Sequence, residues 1–367
     1  MRKNRIKHNS LLPALFLLVA LMLSCAVSSA AKMPISSTAK VMTVGQKKIV
    51  VNIVEIMLSD SRVEVSVGLA KDHIGEVEEL SSMVVRLGAK AAINGTFFDA
   101  YNDGPPYNPV GTVISNGKFL HKGGTGTVLG IGPDKSMEMS AARFKIIGGV
   151  DGSWKWPNNW YAHHVNRAST AENSAILYTP EWSGTVGGNG ISSVVVSGGT
   201  VQRMSTSAVK VPEDGFVLCL RGSEKSSLLS RFTVGCRPEW KVVDSSGNEL
   251  KGLWKDVMDA IGAGPKLVED GKVCFSTSMA MAEGFTEAKI LSQSMARSAV
   301  GLTKDGRLLL ITADSAKMSE LAVVMISLGA IEAMNLDGGA SSGLWYDGAY
   351  LTKPGRAISN ALLIYVR

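Results

Sequence analysis

Three stretches of this sequence place amide, carboxylate, guanidinium and glycine groups where an apolar run ends, a common position for chemistry grafted on a fold. In the first, Ile93-Asn94-Gly95-Thr96-Phe97-Phe98-Asp99, a strand of buried type runs into an amide, a hydroxyl, a carboxylate and two aromatic rings. Polar groups placed inside cost free energy unless they are paired. A turn-forming Asn-Gly pair explains the dipeptide alone. Phe97 and Phe98 add an apolar platform beside Asn94 and Asp99, suited to the apolar face of a sugar ring.

The second stretch is Asn335-Leu336-Asp337-Gly338-Gly339-Ala340-Ser341-Ser342-Gly343. Its glycines let backbone N–H groups approach a ligand, and consecutive N–H groups in such a turn can cradle an anion. Ser341 and Ser342 can donate to phosphate oxygens, and Asp337 is sited as general base, general acid or cation ligand. No Gly-Lys-Ser/Thr follows, so this is not a nucleotide-binding loop of the Walker type. The third stretch, Ala296-Arg297-Ser298-Ala299-Val300-Gly301-Leu302, puts Arg297 at the head of an apolar strand, where a planar guanidinium suits phosphate or carboxylate. Asp314 ends the return strand and is expected to pair with Arg297, orient it or join Asp337. Arg356 is a second cation with a weaker case. His163 and His164 are expected in structural or substrate-contact roles, and Trp154, Trp156 and Trp160 in packing.

The elements that must position these groups are mostly strands. β-branched runs such as 48–56, 63–70 and 308–312 are bounded by Gly, Asp, Asn and Ser. Turn signals at Asn116-Gly117, Gly198-Gly199, Asp270-Gly271, Asp305-Gly306 and Asp347-Gly348 predict hairpins. Helical spacing is clear over 76–87 and 319–328, each followed by a capping glycine, Gly88 or Gly329. The expected fold is therefore α+β, with hairpin-rich mixed or antiparallel sheets and few helices. Residues 87–94 and 328–335 also echo one another in Leu, Gly, Ala, Ala and Asn. That echo suggests an internal pseudo-twofold repeat bringing Asn94 and Asn335 to corresponding strand ends.

Arg2, Lys3, Arg5 and Lys7 precede an apolar run from Leu11 to Leu23 and a small-residue stretch, the order of a secretory signal peptide. The run is too short for a membrane span of ~20 residues. The division expected is a signal peptide over 1–31, a short N-terminal segment over 32–44 and one domain over 45–367. Cleavage near Ala30 is preferred to lipid anchoring at Cys25, so the protein is expected in the cell envelope or secreted. The leader holds four of the 38 Lys and Arg and none of the 32 Asp and Glu, so most of the formal charge of +6 leaves with it. Near-neutral charge gives no electrostatic footprint for nucleic acid. Cys219, Cys236 and Cys274 form no Cys-x-x-Cys pair, so buried thiols are favoured over a disulfide framework and zinc is not expected.

Six segments together resemble the phosphodiester glycosidase family. They are 92–99 (AINGTFFD), 111–118 (GTVISNGK), 261–272 (IGAGPKLVEDGK), 296–302 (ARSAVGL), 335–342 (NLDGGASS) and 356–363 (RAISNALL). The resemblance implies hydrolysis of the bond between a sugar C1, of N-acetylglucosamine type, and a phosphodiester, in a glycan or cell-envelope polymer. Bacterial relatives are often linked to exopolysaccharide. Carried over by position, Asn94, Arg297, Asp337 and the Gly338-Gly339 turn match the family's motif residues. Thr96 and Ala340 stand where relatives frequently carry Gly. In the expected mechanism Arg297, the Gly338-Gly339 amides and Ser341 hold the phosphate, Asn94 fixes sugar hydroxyls and Asp337 activates water. Asp99 and Asp314 are the reserve carboxylates, and a divalent cation, magnesium or calcium, is left open as their ligand. The alternative is a non-catalytic binder of cell-wall or exopolysaccharide sugar phosphates.

Overall fold

All five turn signals join antiparallel strands. At Asn116-Gly117, Gly198-Gly199, Asp270-Gly271 and Asp347-Gly348 both central residues have positive φ, which matches the right-handed twist of the strands they connect. The structure, a computed structural model, describes residues 33–367, and its compact unit runs from Pro34 to Arg367. The leader lies outside the described residues. The strands form six sheets, of which the largest has seven strands and three have five. Pairing between these strands is antiparallel except between His164–Val165 and Ser174–Tyr178, and one isolated bridge, Ile74 to Trp182, is also parallel. Among the described residues no helix is long and apolar enough to cross a membrane.

Residues 35–44, set apart on sequence, are part of the domain. They pair residue for residue with Lys47–Met57 at the edge of the seven-stranded sheet, because Gly45, at φ 62°, closes a hairpin there. The first helix also begins later than its spacing suggests, at Leu80. Glu78 is held extended by backbone hydrogen bonds in both directions with Ile358. The helix then buries Leu80, Met83 and Val84 and ends at left-handed Gly88. The second helix, Met318–Ser327, buries Leu321, Ala322, Val324 and Met325, and Glu320 caps its first turn through the Lys317 amide. Each fully buried Leu, Ile, Val or Met contributes roughly 1.5–3 kcal/mol, so the helices are held by packing. Among the described residues Cys219, Cys236 and Cys274 are free thiols, with Cys219 and Cys236 buried.

The two echo segments fall in separate sheets. Ala91–Asn94 lies between Asn360–Val366 and Leu344–Tyr346, and Ala330–Asn335 between Met295–Thr303 and Lys266–Glu269. Asn94 pairs with Ala361 and Asn335 with Ala299. One residue on, Gly95 donates to Asn360 O at 3.0 Å, and Leu336 donates to Ser298 O at 2.8 Å. Each echo segment is thus a central antiparallel strand, although its flanking strands follow it in the chain in one case and precede it in the other. The strands thus deliver Asn94 and Asn335, and the polar loops that follow them, to the same level of the fold.

Gly95 is required by close approach. A Cβ there would sit 2.0 Å from Asn360 Oδ1 and 2.3 Å from Ile261 Cδ1. Gly95→Ala is therefore expected to destabilise the protein by about 1–3 kcal/mol through overpacking. A chemical-denaturation midpoint unchanged from wild type would contradict that packing.

Candidate active site

The site begins with a buried amide. Asn94 is 1% exposed and all its polar atoms are engaged. Its Oδ1 accepts from Ser298 Oγ at 2.6 Å and from the Gly343 N–H at 3.0 Å, while Nδ2 donates to the Asp337 carbonyl at 2.7 Å. The Asp337 N–H in turn donates to Gly95 O at 3.0 Å. One side chain thereby fastens the end of a strand in the five-stranded sheet to the loop leaving the seven-stranded sheet. The expected contact of Asn94 with sugar hydroxyls is corrected: the side chain is buried, does not line the cavity beside it, and holds Asp337 in place.

Asp337 opens onto a cavity of about 170 Å³ lined also by Phe97, Phe98, Arg297, Gly338, Gly339, Ser341 and Arg356. The residue is half-buried in the cavity wall. Burial pushes the carboxyl up to about 6, against the pull of the Ser341 hydroxyl, the Gly338 N–H and the cations Arg356 and Lys289. Gly338 N–H donates to Asp337 Oδ1 at 2.9 Å, so this amide orients the carboxylate and is not a free phosphate donor. Gly339, at φ 62°, turns the loop where a β-carbon would be strained.

Arg297 is 1% exposed. Its Nε donates to Ala316 O at 2.9 Å, and its Nη2 to Lys289 O and Gln293 O at 2.7 Å each. Among the described residues no carboxylate pairs with it, and burial lowers its pKa to about 10. A side chain on Gly338 would stand 3.0 Å from Ala296 O and 3.8 Å from Arg297 Nη1, so the glycine permits this close approach. A buried cation without a counter-charge is unfavourable until an anion arrives, and a guanidinium recognises oxyanions well. Arg356 adds a second cation; its Nη2 donates to Tyr101 Oη at 3.1 Å and its guanidinium lies 4.7 Å from the Tyr101 ring centroid.

The remaining expected residues divide. Asp99 faces the hollow next door and accepts from Asn108 Nδ2 at 3.0 Å. Asp314 is away from the cavity: Oδ1 accepts from the Val50 N–H at 3.0 Å and the Ser315 N–H at 2.8 Å, stapling neighbouring strands. The expected pairing with Arg297 does not form, because carbonyl groups already occupy that face of the guanidinium. Asn335 is fully buried and donates to Gly264 O at 2.8 Å, and Ser342 is buried behind the loop without lining the cavity. Thr96 is structural as well, accepting from the Gly111 N–H at 2.9 Å. His163 accepts from the Ala175 N–H at 3.2 Å, and burial lowers His164 to about 4; neither lines the cavity. Trp160 is core, whereas Trp156 is 80% exposed.

Asp337, Asp99 and Asp314 do not converge. Among the described residues no group of three or more His, Cys, Asp or Glu could hold a metal ion. Sequence reasoning missed Tyr101, Lys289, Ile290 and Met295, which complete the cavity wall. Tyr101 follows the first motif closely enough to have been suspected. Lys289 sits on a four-residue helix, Ala288–Leu291, with no pattern to mark it.

Residues 191–365 match the family model described as phosphodiester glycosidase. Four of the six motif segments lie inside that span. A hypothetical protein from Synechocystis has a similar fold, with a TM-score of 0.77 at 20% identity over 91% of this chain. This chain spans 62% of the length of that protein. A Burkholderia pseudomallei protein named for suspected export gives a TM-score of 0.71 at 22% identity, covering 87% of this chain and 74% of that one. The catalytic domain of zebrafish N-acetylglucosamine-1-phosphodiester alpha-N-acetylglucosaminidase, auto-inhibited by its pro-peptide, gives 0.52 at 15% identity, covering 92% and 85%. No curated protein sequence matches.

The raised Asp337 pKa has a defined consequence for stability. Folding favours the protonated carboxyl, so this contribution is complete below about pH 4 and is lost as pH rises through about 6. Wild type should therefore lose stability relative to Asp337→Asn between those pH values, with the gap constant above about pH 7. Denaturant titrations of both proteins from pH 4 to 8 check this; a gap that does not grow with pH refutes the raised pKa.

Proposed function

We propose that this protein is an exported hydrolase that cleaves the bond between a sugar C1 and a phosphodiester, with a sugar of N-acetylglucosamine type in a glycan or cell-envelope polymer. The observation that carries the reading is the pairing, in one cavity, of a buried guanidinium, unpaired by any carboxylate among the described residues, with a carboxyl raised to about 6. The match of residues 191–365 to phosphodiester glycosidases supports the reaction class. The zebrafish enzyme's name supports the sugar and the phosphodiester. Export is supported by the leader and by the Burkholderia neighbour; secretion or residence in the envelope follows, in preference to anchoring at Cys25.

In the reaction, Arg297, Arg356 and Lys289 hold the phosphate, and Asp337 takes a proton from a water molecule as its oxygen bonds to C1. The bond from C1 to the phosphate oxygen breaks and its electron pair leaves with the phosphate. The products are the free sugar and a phosphomonoester. A phosphate is a good leaving group, and three cations stabilise its growing charge, so the demand for a second carboxylate as acid is reduced. Asp337 needs no partner acid in the cavity. A base with a pKa near 6 is mostly ionised at neutral pH while keeping useful basicity. The competing reading, a sugar-phosphate binder without turnover, draws on the Gly338 and Ser341 bonds to Asp337, which would also suit a carboxylate that only stiffens the loop.

The discriminating measurement is sugar release from N-acetylglucosamine-1-phosphodiesters by the mature protein. Asp337→Asn should lower kcat by about 10²–10⁴ while leaving phosphate binding, and wild-type kcat/KM should rise with pH through about 6. Turnover is expected to survive chelator. Saturable binding of the diester with no release under any condition would establish the binder instead.

A further inference from the structure

Beside the cationic cavity, and sharing its wall at Phe97, Phe98, Tyr101 and Ile290, lies a second hollow of about 480 Å³. That size falls within the ~300–1,000 Å³ of small-molecule sites. Its charge is opposite to its neighbour's: Asp99 and Glu287 line it, and its cation Lys289, on the shared wall, stands 4.0 Å from Glu287. Its rings are held in place. Phe97 packs edge-on against Phe285 with centroids 5.9 Å apart. Asp99 is anchored by Asn108 Nδ2 at 3.0 Å, which leaves its other oxygen to accept further hydrogen bonds.

A phosphate entering here would meet two carboxylates. An uncharged pyranose meets complementary groups: its C–H faces lie on rings, and its hydroxyls donate charge-assisted hydrogen bonds to carboxylates. We propose that this hollow is the sugar subsite of the cleft and that Asp99 and Glu287 make it select neutral sugars against acidic ones. The inference rests on the adjoining cavity being the phosphate end. Substrate lies across the shared wall, with C1 at the junction beside Asp337.

The test separates the two ends by using separate probes. Inorganic phosphate reports the cationic cavity by calorimetric titration, and free N-acetylglucosamine and glucuronic acid report the hollow by saturation-transfer NMR titration. Wild type should bind the neutral sugar and show no measurable affinity for the uronate. Asp99→Asn and Glu287→Gln should each weaken the neutral sugar about five- to tenfold, and Asp99→Asn, which lies outside the cationic cavity, should hold phosphate affinity within about twofold. Glu287→Lys should admit the uronate. Glu287 is exposed, so its variants keep the test open if Asp99→Asn fails to fold. Equal binding of both sugars by wild type, or neutral-sugar affinity unmoved in every folded variant, overturns the subsite. Phosphate that fails to bind wild type counts against the phosphate end, while the sugar titrations still decide the hollow.

Discussion

The buried amide of Asn94 is the constraint on which the rest of the site depends. Its three hydrogen bonds reach Ser298 on a neighbouring strand, Gly343 past the glycine loop and the carbonyl of Asp337 itself. Removing it would leave three buried polar groups without partners, each unfavourable by about 1–3 kcal/mol. Two sheets that each bury their own apolar residues would still form. Their loops would lose a common reference, and the carboxyl could no longer be placed against the cations with the accuracy that proton transfer needs.

Electrostatics explains why the cavity is unbalanced. Three backbone carbonyls orient Arg297 without neutralising it, since dipoles hold a charge in place while leaving most of its field outside. The same burial that leaves this cation unpaired raises the Asp337 carboxyl, so one low-dielectric environment produces both an anion receptor and a base. Filling the cavity with a phosphate would relieve the first and retune the second, making binding and ionisation of the site interdependent.

Much of this was legible in the sequence because its signals are local. Two-residue turns with Asn, Asp or Gly specify hairpins through backbone conformation alone, and all five appear. Asp337, Arg297, Arg356 and the Phe pair could be named because glycine, charge and aromatic residues cluster at the ends of apolar runs. What failed was partnership across long sequence separation. Nothing near Asn94 says that its amide will be taken by residues 298, 337 and 343, and Asp314 reads the same whether it faces a cavity or staples a strand. Lys289 enters the cleft where Arg297 holds its carbonyl and that of Gln293, just beyond its short helix, an arrangement visible only once the chain is folded. The edge strand over 35–44 was missed because hairpin pairing depends on Gly45 and a distant sheet to join.

The hydrogen bond from the Gly111 N–H to Thr96 Oγ1 closes the stretch from Phe97 to Val110 at its base, and a second, from the Val110 N–H to Phe97 O, reinforces the neck. Everything that fixes the carboxyl and the buried guanidinium lies outside that neck. Phe97, Phe98, Asp99 and Tyr101 lie within it. The neck therefore sets the ring-bearing stretch apart from the bonds that fix Asp337 and Arg297, while Tyr101 reaches back to hold Arg356. The length and ring content of that stretch can change without breaking any of the hydrogen bonds that hold Asp337 and Arg297.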